Sequence, residues 1–140
     1  MTATKPEAGV RDTIEALIQA GTNSDTIGLD KIYHSDMQIL MLDESGDLTR
    51  FDKPAFMAML AESVRGSRPE DHQWARFDSV DANDQRGHVL ITRKVPLGGD
   101  RKVLTLSIDL VFEDQRWQVT REVILIKADS SVEQDLPVIH

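Results

Sequence analysis

Residues 101–127 read RKVLTLSIDLVFEDQRWQVTREVILIK, two runs of alternating apolar residues on either side of the polar turn Glu113-Asp114-Gln115-Arg116. A period of two marks strands with one buried face, and two such runs joined by so short a turn pair antiparallel. With Phe112 set opposite Trp117 by that turn, Leu104, Leu106, Ile108, Leu110 and Phe112 share a face with Trp117, Val119, Arg121 and Val123. This is the expected core face. The other face carries Thr105, Ser107 and Asp109 beside Gln118, Thr120 and Glu122, polar enough for water or a wet subunit contact. Arg121 is the exception on the apolar side.

Working backwards, symmetric closure of the loop Pro96 to Arg101 sets Val89, Ile91 and Arg93 on the core face and His88 opposite Asp109 on the outer one. Gly98-Gly99 belongs to that loop and, with no helix after it, is a turn and not a phosphate cradle. In the preceding strand, His72 to Val80, Trp74, Arg76 and Asp78 alternate with Ala75, Phe77 and Ser79, and a bulge between Trp74 and Phe77 would let both aromatics point inward. Consecutive strands with short turns imply an antiparallel meander. Ahead of it, Met37 to Leu42 and Leu48 to Phe51 flank the turn formers Asp43-Glu44-Ser45-Gly46-Asp47, a further hairpin.

The first part of the chain follows a helical period. Val10, Ile14, Leu17 and Ile18 make one apolar face over Pro6 to Gly21, with Thr4 and Glu7 spaced as a capping box and Gly21 as the left-handed stop. Ser24 and Asp25 cap a shorter helix bearing Leu29, Ile32 and Tyr33, which ends before His34. Asp52 caps a third, in which Phe56, Met57, Leu60 and Val64 form a stripe running to Gly66. Ala128 to His140 loses all periodicity and reads as a C-terminal tail. The expected whole is one α+β domain over 1–140, with a core of about 7–127: three N-terminal helices, then a curved, mostly antiparallel sheet of about six strands.

Composition removes several function classes. Sixteen Lys+Arg against 24 Asp+Glu give a formal charge of -8, and no stretch gathers the cations that a phosphate backbone needs, so neither nucleic acid nor an anionic membrane is an expected partner. The chain has no cysteine, which excludes disulfides, thiolate nucleophiles and sulfur-ligated metal. Met1 to Pro6 carry no apolar run, and no 18-residue apolar stretch occurs, so a cytoplasmic location is the default expectation. No two histidines stand at HxH or i, i+4 spacing, and HExxH, G-x-S-x-G, the phosphate loop and the dinucleotide fingerprint are missing; no metal and no cofactor is expected.

Helix, short helix, the junction Ile32-Tyr33-His34-Ser35-Asp36-Met37 into a strand, hairpin, third helix, and a meander with Glu113-Asp114-Gln115-Arg116-Trp117-Gln118-Val119 at its last turn resemble the nuclear-transport-factor-2-like superfamily. The Tyr-His-Ser-Asp step is similar to that of its SnoaL-like and lumazine-binding branches. The resemblance spans about Val10 to Lys127. It implies a cone: helices across the concave side of a bent sheet, a pocket at the wide end, and often a homodimer through the sheet face. Relatives include isomerases, dehydratases, cyclases and non-catalytic binding modules, and fold alone does not choose among them.

Within such a cone, Arg121 on an apolar face must meet an acid, snorkel to the rim, or reach an anionic or carbonyl-bearing ligand. Tyr33, the only tyrosine, stands where its hydroxyl can donate into a cavity, as a tyrosine does in steroid-isomerase relatives. Those enzymes also need an inward carboxylic acid, and the favoured register points Asp109 and Glu122 outward, while Asp78 faces in under only one register of its strand. His34, His72 and His88 are candidate general bases, as in dehydratase relatives. Each has a duller explanation: His34 fixing a turn, His72 opening a strand, His88 pairing with Asp109. Met37, Met41, Met57 and Met59 with Phe56 and Trp74 could wall an apolar site or simply fill a core.

The leading expectation is a binding domain for a small apolar or aromatic molecule, with Tyr33, Met41, Phe56, Trp74 and Arg121 as its contacts, so that Arg121→Leu weakens binding. The alternatives are a cofactor-independent lyase or isomerase using His72 or His88, and a dimeric interaction module with a filled pocket. Cavity volume separates the interaction module from the other two, since a space well below about 300 Å³ leaves no room for a drug-sized ligand. An acid or histidine within hydrogen-bond reach of an open, water-filled cavity favours the enzyme, whereas an all-apolar lining with one arginine favours binding.

Overall fold

The first helix, α1 (Pro6–Thr22), buries Val10, Ile14, Leu17, Ala20 and Thr22. The computed structural model describes residues 5–63, 68–97 and 100–129; Thr4, Val64, Gly66, Gly98-Gly99 and most of the expected tail lie outside them. Two expected helix signals differ. The N-cap of α1 is Lys5, with no side-chain cap, and the helix runs past Gly21 to Thr22, so the left-handed residue is Ser24 at φ 56°. Asp25 caps α2 (Thr26–Ile32) by accepting from the Gly28 amide at 3.0 Å, and Asp52 caps α3 (Lys53–Ser63) by accepting from Ala55 at 3.0 Å.

The strands are β1 (Tyr33–Leu42), β2 (Leu48–Phe51), β3 (Ala75–Ala82), β4 (Arg86–Leu97), β5 (Asp100–Glu113) and β6 (Arg116–Ala128), with a 3-10 turn at Pro69–His72 before β3. They form one six-stranded sheet in the order β2-β1-β6-β5-β4-β3. The meander β3 to β6 and the β1–β2 hairpin are antiparallel, and β1 joins β6 in parallel. Between β1 and β2, Asp43 Oδ1 accepts from the amides of Ser45 and Asp47, both at 3.0 Å, which holds the turn.

Val10, Ile14 and Leu17 of α1 meet Val89, Ile91, Leu106, Ile108, Leu110 and Val119 in one buried cluster. The greasy sides of β4 and β5 thus face the core as the alternation requires. Close approach of helix and sheet explains two glycines: a Cβ on Gly9 would stand 2.8 Å from the Trp117 indole nitrogen, and one on Gly87 would stand 2.6 Å from Val10 Cγ2.

The β5–β6 pairing contains the feature that moves the site. Phe112 does oppose Trp117 and Leu110 opposes Val119, but the next pair is Asp109 with Arg121, leaving Thr120 without a partner residue. This is a bulge in β6. Thr120 Oγ1 donates to the Asp109 carbonyl at 3.2 Å across it. Beyond the bulge every side chain is on the face opposite to that expected: Arg121 and Val123 turn to the outer face, and Glu122 turns inward opposite Ile108 and is 2 % exposed. A second irregularity, expected between Trp74 and Phe77, falls instead between Phe77 and Ser79. Phe77 packs on the core under the Arg11 guanidinium, and Trp74 is exposed.

Candidate functional site

Bulging of β6 brings a carboxylic acid under the helices, onto the wall of a cavity of about 130 Å³. Apolar side chains from α1, α2, α3 and the sheet, among them Ile14, Leu17, Leu29, Phe56, Leu106 and Ile124, supply most of the lining. Among the described residues five polar side chains interrupt it: Thr22 at the end of α1, Tyr33 at the start of β1, His72 in the 3-10 turn, Arg93 on β4 and Glu122 on β6.

Glu122 is the most unusual of these. Burial pushes its carboxyl up to about 7, against the opposing pull of the Tyr33 hydroxyl and the Arg93 charge. Near neutrality it therefore exchanges its proton readily, as an acid or base must. Among the described residues its Oε2 has no hydrogen-bond partner. Tyr33 lies within hydrogen-bonding reach of the same carboxyl, and burial followed by the Glu122 charge holds its hydroxyl well above the ordinary range, so it stays a donor. Its ring is fixed edge-on against Phe56 at 5.6 Å between centroids.

Arg93 is anchored by backbone. Its Nε donates to the Trp74 carbonyl at 3.2 Å and its terminal nitrogen to the His72 carbonyl, so the charge beside Glu122 comes on a braced side chain. Burial lowers its basicity, while Glu122 and then Tyr33 act the other way. His72 is buried, and desolvation, with the nearby Arg93 charge, keeps its imidazole below the ordinary value despite Asp71. At neutral pH it is the uncharged form that faces the cavity.

Of the residues singled out from sequence, Tyr33, Met41, Phe56 and His72 lie together on this wall. Trp74, His88 and Arg121 lie elsewhere. Trp74 is exposed, with the Lys94 ammonium 4.8 Å from its ring centre. His88 is on the outer face, where its Nε2 is 2.8 Å from Ser107 Oγ, opposite Asp109 as the register predicted. Arg121 is exposed on the same face, opposite Asp109, so its own charge stays in water beside an acid on the neighbouring strand. Asp78 also stays outside, its carboxyl lowered first by the bond from Thr92 at 2.6 Å and then by Arg76. His34 takes its duller role, Nδ1 accepting from the Asp36 amide at 3.1 Å.

The sequence reading missed Glu122 and Thr22 and placed Arg93 on the right face without assigning it to the site. The signal for Glu122 emerges once burial along β6 is known. Leu104 to Leu110 keep even parity throughout β5, whereas the inward residues of β6 change from odd, Trp117 and Val119, to even, Ile124 and Ile126. Only an extra residue in β6 reconciles the two.

Among the described residues no group of three or more histidine or acidic side chains is arranged to hold a metal ion, and no helix is long and apolar enough to cross a membrane.

This order of elements is that of the NTF2-like proteins. Solved structures of similar fold include an NTF2-like protein of unknown function from Silicibacter pomeroyi, 18% identical, with a TM-score of 0.72 over 86% of this chain and 94% of that one. Another, from Shewanella baltica, is 14% identical with a TM-score of 0.69 over 86% and 93%. A conserved protein from Planctomyces limnophilus is 18% identical, with a TM-score of 0.62 over 86% and 95%. No curated protein matches the chain. Residues 5–123 match the family described as "Putative lumazine-binding", and the chain belongs to that family, with a fold similar to that of NTF2-like proteins.

Proposed function

We propose that this protein binds a compact, mainly apolar molecule in the space between its helices and the concave side of its sheet, through a polar group that pairs with Glu122. The observation that carries this reading is the buried carboxyl of Glu122 on the wall of a mainly apolar cavity, its Oε2 without a hydrogen-bond partner among the described residues. A polar atom left without a partner in a low-dielectric site is costly, and a ligand donor would satisfy it. The size bounds the ligand. At about 130 Å³ the cavity is well under the roughly 300 Å³ of a drug-sized site and near the roughly 150 Å³ that holds benzene. A single ring with a hydroxyl or carbonyl fits; a large flat ligand does not. Contacts from Tyr33, Met41, Phe56 and His72 complete the site.

A second reading, proton transfer, is favoured by the same carboxyl. An acid that titrates near 7 beside a hydroxyl donor and a fixed cation is equipped to take a proton from carbon next to a carbonyl, with Tyr33 or Arg93 polarising the oxygen and His72 as the alternative base. A lyase or isomerase of a small carbonyl compound is the corresponding activity. For the partner we propose a second copy of the chain across the outer sheet face, where Leu40, Leu42, Val123 and Leu125 lie on the adjoining strands β1 and β6.

Titration with phenol, followed by the methyl resonances of Ile14, Leu29 and Met41, tests the binding reading. Saturable shifts confined to those methyls, with a Kd of about 1 mM, are expected, and weaker binding in Glu122→Gln. Phenol that leaves the cavity methyls unmoved refutes it.

A further inference from the structure

Among the described residues Arg93 is the only lysine or arginine on the cavity wall, and Glu122 is the only acid. They do not neutralise one another by contact. The Arg93 charge acts on both Glu122 and Tyr33, which sets the guanidinium on their side of the cavity, yet no ion pair closes between it and Glu122 among the described residues. The carbonyls of Trp74 and His72 take two of the five N–H groups that a guanidinium carries, and within the described residues the other three make no bond. Those carbonyls brace the side chain without cancelling its charge. Near pH 7 the Glu122 carboxyl is protonated about half the time, and in that form the wall holds a cation with no anion, flanked by two neutral hydroxyl donors, of Glu122 and Tyr33. A half-buried cation so placed favours an anionic partner, and its planar fork favours a planar one.

We propose that the polar group of the ligand is a carboxylate, seated between the Arg93 guanidinium and the Glu122 carboxyl, on an apolar skeleton no larger than one ring. This rests on the binding reading given above and names the ligand class of the same site, small apolar carboxylic acids. One carboxylate oxygen accepts from the Arg93 fork and the other from the protonated Glu122, both charge-assisted bonds. The two carboxyl groups then hold one proton between them, and Arg93 balances the negative charge that remains. The other titratable groups on the wall, Tyr33 on β1 and His72 in the 3-10 turn, are both uncharged near neutrality, and the helices contribute none among the described residues.

The test is calorimetry with benzoate, its neutral isostere benzamide, and phenol, on the wild type and on Arg93→Met. In the wild type benzoate is expected to bind about tenfold more tightly than benzamide, since charge-assisted bonds are roughly twice as strong as neutral ones. Titrations at pH 7 in two buffers of different ionisation enthalpy should show about half a proton taken up with each benzoate, because binding holds Glu122 in its protonated form. In Arg93→Met the ratio of benzoate to benzamide affinity should fall to about one or below, and benzamide binding in the same variant reports that the cavity is intact. Phenol or benzamide binding with no preference for benzoate in the wild type overturns the carboxylate site and leaves the binding reading standing. A preference that survives in Arg93→Met overturns it as well, because the anion then has another partner. Benzoate bound with no proton uptake overturns the shared proton. Absence of binding by all three compounds removes both readings together.

Discussion

Replacing Glu122 with glutamine isolates the energetic consequence of the bulge. In the unfolded chain this carboxyl titrates near its ordinary 4.5, and in the folded protein near 7. The rise, at about 1.4 kcal/mol for each tenfold change in proton affinity, amounts to about 3 kcal/mol. Its sign follows from which state holds the proton. Below about pH 4.5 both states are protonated and the contribution is fully present; between about 4.5 and 7 the unfolded chain ionises while the folded one does not, so stability falls; above about 7 the loss is complete. Glutamine cannot ionise. The stability of Glu122→Gln relative to wild type should therefore climb by about 3 kcal/mol from pH 4.5 to pH 8. Taking the difference also cancels His72, whose lowered basicity works the other way, its stabilisation being lost as pH falls. Urea unfolding followed by tryptophan fluorescence measures it, and with a slope of about 2 kcal/mol per molar the gap between midpoints should widen by about 1.5 M. A gap that stays constant across this range would refute the buried, protonated carboxyl.

Three further outcomes are expected. Tyr33→Phe removes the hydroxyl that holds the Glu122 carboxyl down, so the midpoint of its titration should move higher, which the same pH series of unfolding curves detects. Arg121→Leu should leave phenol affinity within about twofold and stability within about 0.5 kcal/mol, because the side chain is exposed on the outer face; a loss of binding seen by calorimetry would return Arg121 to the site. Asp25→Ala should cost about 1 kcal/mol by chemical denaturation, since it deletes the cap of α2.

Most of the architecture was legible because it depends on periodicity. The apolar face of α1, the parity of Leu104 to Leu110 and the short turn before Trp117 each act over a few residues, and they lead to the observed helices, strands and β4–β5 register. Site residues near element boundaries were legible too: Tyr33 enters β1 directly after α2, and alternation then carries Met37, Ile39 and Met41 inward with it. What a straight register hides is a single inserted residue. Thr120 exchanges Arg121 for Glu122 beneath the helices, and with that exchange a second inward cation beside Arg93 becomes a buried acid. The apolar run Val123-Ile124-Leu125-Ile126 conceals the change of parity, since either face of β6 then reads as greasy.

The most direct measurement is the carbon-13 titration of the Glu122 side-chain carboxyl, assigned by its loss in Glu122→Gln. A midpoint near 7 is expected of a carboxyl buried in the cavity wall between Tyr33 and Arg93. A midpoint near 4.5 would put Glu122 in water on the outer face and contradict the site built around it.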